Sequence, residues 1–304
     1  MKVFVTGATG FIGSAIVNEL IANGHQVLGL TRSESGAAAL LAAGAEVHFG
    51  NLEDVSSLRE GAAKSDGIIH TAFNHDDFSK FNVSTENDRK VIEALGDELL
   101  GSSRPLIVTS GLGIIRSEGK LITEDDRAEN STNPRVATEE AVNAIAGKGV
   151  RVSVVRLPPS VHDSGDHGFV PMLINIAKEK GVSAYKNEGN NRWPAVHRMD
   201  AARLFRLALE KNAAPGTRYH GVGDEGILFR DIAAVIGKRL AIPVESKTAE
   251  DADKYFGWFA HFAAMDCPAS YEKTREMLGW TALHPDLLAD IDREAYFDSI
   301  FTKR

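Results

Sequence analysis

The hydrophobic pattern alternates between two periods along the first half of the chain. Val3-Phe4-Val5 is a short apolar run, and the SAIVNELIANG that follows repeats its apolar residues at helical spacing. Gln26 to Leu30 is a second short run. The alternation continues as a helix from Ser35 to Ala43, a strand from Glu46 to Gly50, the helical VSSLREGAA, and a strand from Asp66 to Thr71. An amphipathic helix from Ser84 to Leu100 then leads through Arg104-Pro105 to the strand LIVTS, and a sixth strand spans Arg151 to Arg156. Strands that alternate with helices pair in parallel, and the nearly all-apolar DGIIHTAF fits a parallel strand covered on both faces. Beyond this half the units become smaller: a strand at Arg218 to Gly221, a helix at Phe229 to Leu240, strand-like PVESK, and a helix from Tyr271 to Trp280 that ends at Gly279.

The turn between the first strand and first helix reads TGATGFIG and carries glycines at Gly7, Gly10 and Gly13. The three differ in what they permit. Gly7 allows a sharp reversal, Gly10 lets bare backbone approach a pyrophosphate, and Gly13 lets the helix lie close on the strand. The unpaired amides and positive dipole end of the helix then hold the phosphates, so Gly7, Thr9, Gly10, Phe11, Ile12 and Gly13 are candidate dinucleotide contacts. An acidic residue at the end of the second strand would accept hydrogen bonds from a ribose 2′-hydroxyl, and none stands there. Arg32, backed by Ser33, offers a cation and a hydroxyl to a 2′-phosphate, which favours NADP, with NAD as the alternative.

The spacing TGxxGxxG resembles the opening of the extended and atypical short-chain dehydrogenase/reductases, the group of nucleotide-sugar epimerases, dehydratases and many carbonyl reductases. The segments RLPPSVHDSGDHGFVPMLINIA, NEGNNRWPAVHRMDAARLFRLALE and FRDIAAVIGKRL resemble later patterns of the group, and together they span most of the chain. The resemblance implies an α/β fold: a doubly wound parallel-sheet Rossmann domain over 1–156 and a smaller, mainly substrate-binding C-terminal lobe over 157–304, with 195–222 returning to the first. It also implies that Asn51, through its carbonyl oxygen, and Leu52 meet the adenine, with a helix cap ahead of VSSLREGAA as the other reading of Asn51, that Thr71 and Ala72 lie beneath the nicotinamide-side ribose and pyrophosphate, and that the loop at Pro158 passes the nicotinamide carboxamide.

Part of the group's chemistry is missing. Its members place a Ser or Thr at the end of the fifth strand, and Thr109 and Ser110 stand there. They also carry a Tyr and a Lys four residues apart on the next helix, on one face, where the lysine charge lowers the tyrosine pKa. With Asn133 as cap and Pro134 at the first helical position, Arg135 takes the tyrosine place and Glu139 the lysine place. Two readings of this pair stay open: an ion pair on a solvent-facing helix, or cleft residues with Arg135 stabilising a developing alkoxide or an anionic substrate. All five tyrosines lie far downstream. The candidate catalytic set is therefore Ser110, which would bind the carbonyl oxygen, Arg135, which would stabilise its charge, and His162, which alternates with a bound water as proton donor.

Composition narrows the rest. The net charge of −8 comes without a basic run or basic helix face, which argues against a nucleic-acid or anionic-membrane partner. Cys267 is the single cysteine, so no intrachain disulfide forms and a reducing compartment fits. No apolar run reaches the length of a membrane span and the N-terminus begins with a core strand, which leads to the expectation of a cytoplasmic protein. His162, His167 and His197 show no established ligand spacing, and no metal is expected. Arg192 and Trp193 are placed for substrate contact, and KYFGWFAHFAAM fills core while part of it lines an apolar pocket. The expected function is NADP-dependent reduction of a small, apolar aldehyde or ketone. The rivals are a non-catalytic NADP(H) sensor and a nucleotide-sugar epimerase or dehydratase, and a homodimer through Ser84 to Leu100 and Pro134 to Ala146 is expected from the resemblance.

Overall fold

The computed structural model describes residues 1–74, 80–117, 119–128 and 131–301. The first half runs β1 (Lys2–Thr6), α1 (Phe11–Ala22), β2 (Gln26–Thr31), α2 (Glu34–Ala42), β3 (Glu46–Phe49), α3 (Val55–Ala63), β4 (Gly67–His70), α4 (Phe81–Asp97), β5 (Leu106–Gly111), α5 (Val136–Gly147) and β6 (Val152–Leu157). The second runs β7 (Ser160–His162), α6 (Phe169–Lys180), β8 (Ser183–Lys186), β9 (Arg192–His197), α7 (Arg198–Glu210), β10 (Thr217–His220), β11 (Asp224–Leu228), α8 (Phe229–Leu240) and β12 (Val244–Lys247). It closes with α9 (Ala249–Phe256), α10 (Ala260–Ala263), α11 (Glu272–Leu278), α12 (Leu287–Ile291) and α13 (Glu294–Phe301).

Seven parallel strands form the central sheet in the order β3-β2-β1-β4-β5-β6-β10. Alternation along each strand sends side chains to two separate cores. Val3, Val5, Ile69, Ile107 and Val155 pack with Ile16 and Leu20 of α1 and Phe205 and Leu209 of α7. Phe4, Ile68, Val108 and Val154 pack with Leu58 of α3, Ile92 and Leu95 of α4, and Val142 and Ile145 of α5. Helices therefore cover both faces, as a doubly wound α/β sheet requires. The order reverses between β1 and β4, and the crevice beyond the carboxyl ends of these two strands is where such sheets take ligands.

A smaller lobe holds the sheets β11-β9-β7 and β12-β8 around a third core of Trp193, Phe229, Phe256 and Phe259. Several of its elements do not stand out in the sequence, because β7 has only three residues and β8 and β11 are short and lack strict alternation. α6 contains Pro171, which is tolerated because it lies in the first turn, where no intrahelical amide bond is needed. The exposed side of α4 carries the ion pairs Glu86–Arg89 and Arg89–Glu93 rather than an apolar stripe. No helix among the described residues is long and apolar enough to cross a membrane.

Candidate active site

The crevice begins at Gly7, whose φ of +70° places it in the left-handed region. A Cβ there would lie 2.7 Å from Thr71 Oγ1 and 2.8 Å from the Ala72 amide nitrogen, so Gly7 is pressed against the end of β4. At Gly13 a Cβ would fall 1.9 Å from the Gly7 carbonyl oxygen. α1 is capped by Gly10 and receives no side-chain cap, which leaves the first-turn amides of a twelve-residue helix for a ligand. A bare backbone cradle and an uncapped helix start fit the diphosphate of a dinucleotide. Thr71 Oγ1 donates to the Thr6 carbonyl at 2.8 Å, tying β4 to the turn. The Phe11 ring is held between the Arg198 guanidinium at 4.6 Å and the His167 ring at 5.7 Å, so Phe11 and Ile12 offer their backbone to the crevice.

Arg32 and Thr9 are exposed at the mouth. Ser33 Oγ accepts from the Gly36 amide at 3.1 Å as the cap of α2 and lies 3.2 Å from Ser35 Oγ, so two hydroxyls and a helix start gather beside Arg32. At Asn51 the structure differs from expectation. Its Oδ1 accepts from the amides of Glu53 (2.8 Å) and Asp54 (3.0 Å), and Asp54 caps α3. Both lone pairs of the oxygen are used, which leaves the Nδ2 protons for a base edge. Leu52 packs half-buried on the second core, and Pro158, the residue after β6, is buried.

At the end of β5, Thr109 Oγ1 donates to the His70 carbonyl at 2.9 Å. Ser110 is only 2 % exposed and its hydroxyl has no partner. The helix starts later than the expected frame: α5 begins at Val136 with Arg135 as its N-cap, and Asn133 and Pro134 lie in the preceding turn, where Asn133 Oδ1 accepts from the Arg135 amide at 3.0 Å. The Arg135 guanidinium lies 3.6 Å over the Phe73 ring, its Nη2 approaches the Thr109 carbonyl at 3.5 Å, and its Nη1 is shielded without a partner. Burial draws the Arg135 pKa down, against the pull of Asp88.

Glu139 overturns the solvent-facing ion-pair reading of the Arg135–Glu139 pair and leaves the cleft reading to Arg135 alone. It neither faces solvent nor lines the cleft. It is 3 % exposed, and its two oxygens take Arg156 Nε and Nη2 at 2.8 Å each, with Arg218 Nε at 3.2 Å from Oε2. Burial would raise its pKa, but the two guanidiniums outweigh burial and hold it below the usual carboxylate value. The i, i+4 partners diverge because Arg135 reaches toward Phe73 and Thr109 while Glu139 turns inward to β6 and β10.

Sequence reading missed a buried polar chain between the cradle and α5. Thr6 Oγ1 meets His70 Nδ1 at 2.6 Å, His70 Nε2 meets Asp88 Oδ1 at 3.0 Å, and Thr138 Oγ1 donates to Asp88 Oδ2 at 2.5 Å. Burial opposes ionisation of Asp88, yet His70 and Thr138 hold its pKa below the usual value. The only sequence signal was a histidine inside an apolar strand.

His162 lies fully buried, its Nδ1 2.7 Å from Asp290 Oδ2, and its Nε2 has no partner. Arg293 also pairs with Asp290. Burial pushes His162 down to about 4 against the pull of Asp224, Asp166 and Asp163. Among the described residues it shares no hydrogen bond or ring contact with Ser110 or Arg135. Its ring stands edge-on to His197 at 5.4 Å, and His197 stacks on His284 at 4.6 Å. The sets His197/Asp200/His284 and Asp163/His197/Asp290 bring ligand atoms within 4.8 Å of one another. Their bonding suits a polar joint between the lobes better than a metal. His197 Nδ1 accepts from the Met199 amide, so its neutral ring carries the proton on Nε2, and Arg293 already bridges Asp163 and Asp290.

Trp193 is fully buried in the lobe core and Arg192 is paired with Asp266, so neither faces the cleft as expected. Of the aromatic segment, Phe256 and Phe259 are buried, Phe262 is half-buried, and Trp258 is 60 % exposed. Met265 lies against Gly113, three residues past Ser110, and packs on a fourth apolar cluster that includes Leu112 and Ile114.

A profile of the NAD dependent epimerase/dehydratase family matches residues 3–92. An uncharacterized protein of Schizosaccharomyces pombe, C2A9.02, is 52 % identical over 98 % of this chain and 100 % of its own length. A 4-hydroxy-2-methyl-3-oxo-4-farnesyl-3,4-dihydroquinoline-1-oxide ketoreductase of Stigmatella aurantiaca is 28 % identical over 59 % of this chain and 56 % of its own. Among solved structures, a dTDP-glucose 4,6-dehydratase of Streptomyces venezuelae, with NAD bound, superimposes with a TM-score of 0.77 at 18 % identity, over 97 % of this chain and 96 % of that one.

Proposed function

Because the chain belongs to the NAD dependent epimerase/dehydratase family, we propose that it is an NADP-dependent oxidoreductase that reduces a small, largely apolar aldehyde or ketone. The observation that carries this reading is the end of β5: a shielded, unpartnered Ser110 hydroxyl follows directly on the carbonyl that the Arg135 guanidinium touches. The nicotinamide supplies hydride when bound. Ser110 donates a hydrogen bond to the carbonyl oxygen, and Arg135 stabilises the negative charge that develops there. Arginine stays protonated, so water entering the cleft delivers the proton. His162, enclosed at the lobe joint, keeps a structural role in this reading. Arg32, with Ser33 and Ser35 at the start of α2, holds the 2′-phosphate. The ketoreductase relative supports carbonyl reduction, and the apolar cluster of Leu112, Ile114 and Met265 that follows Ser110 in the chain suits an apolar substrate.

One observation favours a second reading, an NADP(H)-binding sensor. α5 carries no acid–base pair, and Glu139 is locked into ion pairs below the sheet. The same feature ranks epimerase or dehydratase chemistry lower, since that chemistry relies on the absent tyrosine and lysine. The test is loss of reduced-nicotinamide absorbance with NADPH and separately NADH against apolar aldehydes, ketones and sugar nucleotides. Carbonyl-dependent loss that is faster with NADPH and that falls sharply in Ser110→Ala supports the reductase. Stoichiometric NADPH binding with no turnover of any compound supports the sensor.

A further inference from the structure

We infer that the carbonyl substrate carries a carboxylate and that Arg135 binds it. The inference rests on reading the cleft as a carbonyl-reductase site and names what that site takes.

A guanidinium presents five N–H donors, and a shielded cation left short of acceptors is costly. The chain meets this demand at its other arginines below the sheet. Arg156 is fully buried and is bonded by both Glu139 oxygens, the Asp126 carbonyl and His220, while Arg218 reaches Glu139, Asn143 and the Gly216 carbonyl. Arg135 is treated differently. Among the described residues no carboxylate lies within ion-pair distance of it, its single side-chain hydrogen bond is the 3.5 Å approach to Thr109, and Nη1 is shielded with nothing to donate to. Asp88 is the acid whose charge it feels, but the Asp88 oxygens are committed to His70 and Thr138.

The missing acceptor is therefore an external one. A carbonyl oxygen alone offers a single neutral atom before reaction, which satisfies little of the fork. A carboxylate offers two oxygens in one plane and matches the guanidinium edge while the Phe73 ring covers its face. The guanidinium rests on the carbonyl of the residue before Ser110, so one ligand can span both: the carboxylate on Arg135 and the carbonyl on the serine. Binding energy from a remote anionic group then orients the reacting carbonyl.

The test compares six- to eight-carbon 2-, 3- and 4-oxo acids with their methyl esters, with NADPH as the reductant. At least one oxo acid is expected to exceed its ester in kcat/KM by about 10- to 100-fold, the range of a charge-assisted hydrogen bond. Arg135→Gln is expected to lower oxo-acid turnover by about 10- to 100-fold more than ester turnover, which also falls with the lost charge stabilisation, while NADPH affinity stays within about threefold, and Arg135→Lys to keep part of the preference. Equal turnover of acid and ester, a parallel fall of both in Arg135→Gln, or a loss of NADPH affinity in that variant would each overturn the assignment, the last by making Arg135 a cofactor contact. If no compound oxidises NADPH, the reductase reading fails by itself, and the carboxylate is read from melting of the NADPH-loaded protein. Stabilisation by 2-oxooctanoate, absent with its ester and absent in Arg135→Gln, supports the assignment, and identical behaviour of acid and ester overturns it.

Discussion

Replacing Glu139 with Gln removes the one anion between two buried guanidiniums while keeping the side chain's shape. Arg156 is 0 % exposed and Glu139 3 %, so the charges left behind cannot be rehydrated without opening the packing of α5 on the sheet. The new amide would also point N–H donors at guanidinium donors. Breaking a buried pair from one side costs about 3–5 kcal/mol. At about 2–4 °C per kcal/mol for a domain of this order of size, the expected loss is roughly 10 °C in Tm. Urea unfolding followed by fluorescence of the buried Trp193 and Trp280 measures it directly. The pH dependence supplies a second reading with a fixed sign. Glu139 has a folded pKa below its unfolded one, so its contribution is complete above the unfolded value and is lost as pH falls through the folded value. The gap between wild type and variant should therefore narrow below about pH 4.5. Replacing Glu139 with Leu and Arg156 with Met together should restore part of the loss, because only Arg218 rather than two buried guanidiniums is then left without its carboxylate. A Glu139→Gln variant within about 1 kcal/mol of wild type at pH 7 would refute the buried network and return Glu139 to the surface ion-pair reading.

Four further outcomes are expected. Gly13→Ala places a methyl 1.9 Å from the Gly7 carbonyl and should abolish NADPH binding in a fluorescence titration; binding within about twofold of wild type would contradict the cradle. Arg32→Ala should weaken NADPH by about tenfold or more and leave NADH nearly unchanged, and an equal loss of both would remove Arg32 as the phosphate reader. Ser110→Ala should lower kcat by about 100-fold at unchanged NADPH affinity, whereas a loss confined to cofactor binding would move the serine out of the reaction. Stability should fall as pH drops from about 6.5 toward 4, because His162 and His220 are each pushed down to about 4 and the unfolded chain takes up their protons first. The slope is about 1.4 kcal/mol per pH unit for each histidine. Asp166 and Asp224, whose folded pKa values are raised by burial, act in the opposite sense at the acid end of that window. A flat urea midpoint from pH 7 to 5 would show that these imidazoles are not buried neutral.

The parts legible in the sequence were those set by local periodicity. The run Val3-Phe4-Val5, the turn to Gly13 and the helix after it needed only a period change and three glycines, and they fixed the crevice between β1 and β4. The position of Ser110 at the end of β5 was legible because a strand end is a local event. What remained hidden depended on long-range partners. Glu139 meets arginines 17 and 79 residues away, His70 meets an acid 18 residues on, and His162 meets Asp290 at a separation of 128. Spacing shows which face of a helix a residue shares, not which way a long side chain leans from it. Asn51 shows the same limit at short range, since its oxygen closed a turn with Glu53 and Asp54 that competes with any ligand.

The exchange of Tyr and Lys for Arg135 and Glu139 is best understood through where charge goes. In the arrangement the sequence resembles, a lysine places a cation one helical turn beyond the acid and lowers that acid's pKa. Here the later position holds an anion that Arg156 and Arg218 neutralise below the sheet, and the cation stands at the earlier position beside Thr109. The cleft therefore keeps a positive charge near the end of β5 but loses the group that could give up a proton at neutral pH. A fixed cation without an acid is poor equipment for passing protons back and forth on a sugar ring. In the proposed reading it grips an anionic substrate and holds its carbonyl against Ser110 while solvent provides the proton, and that asymmetry is why the carboxylate comparison at Arg135 bears on the reaction type as well as on the substrate.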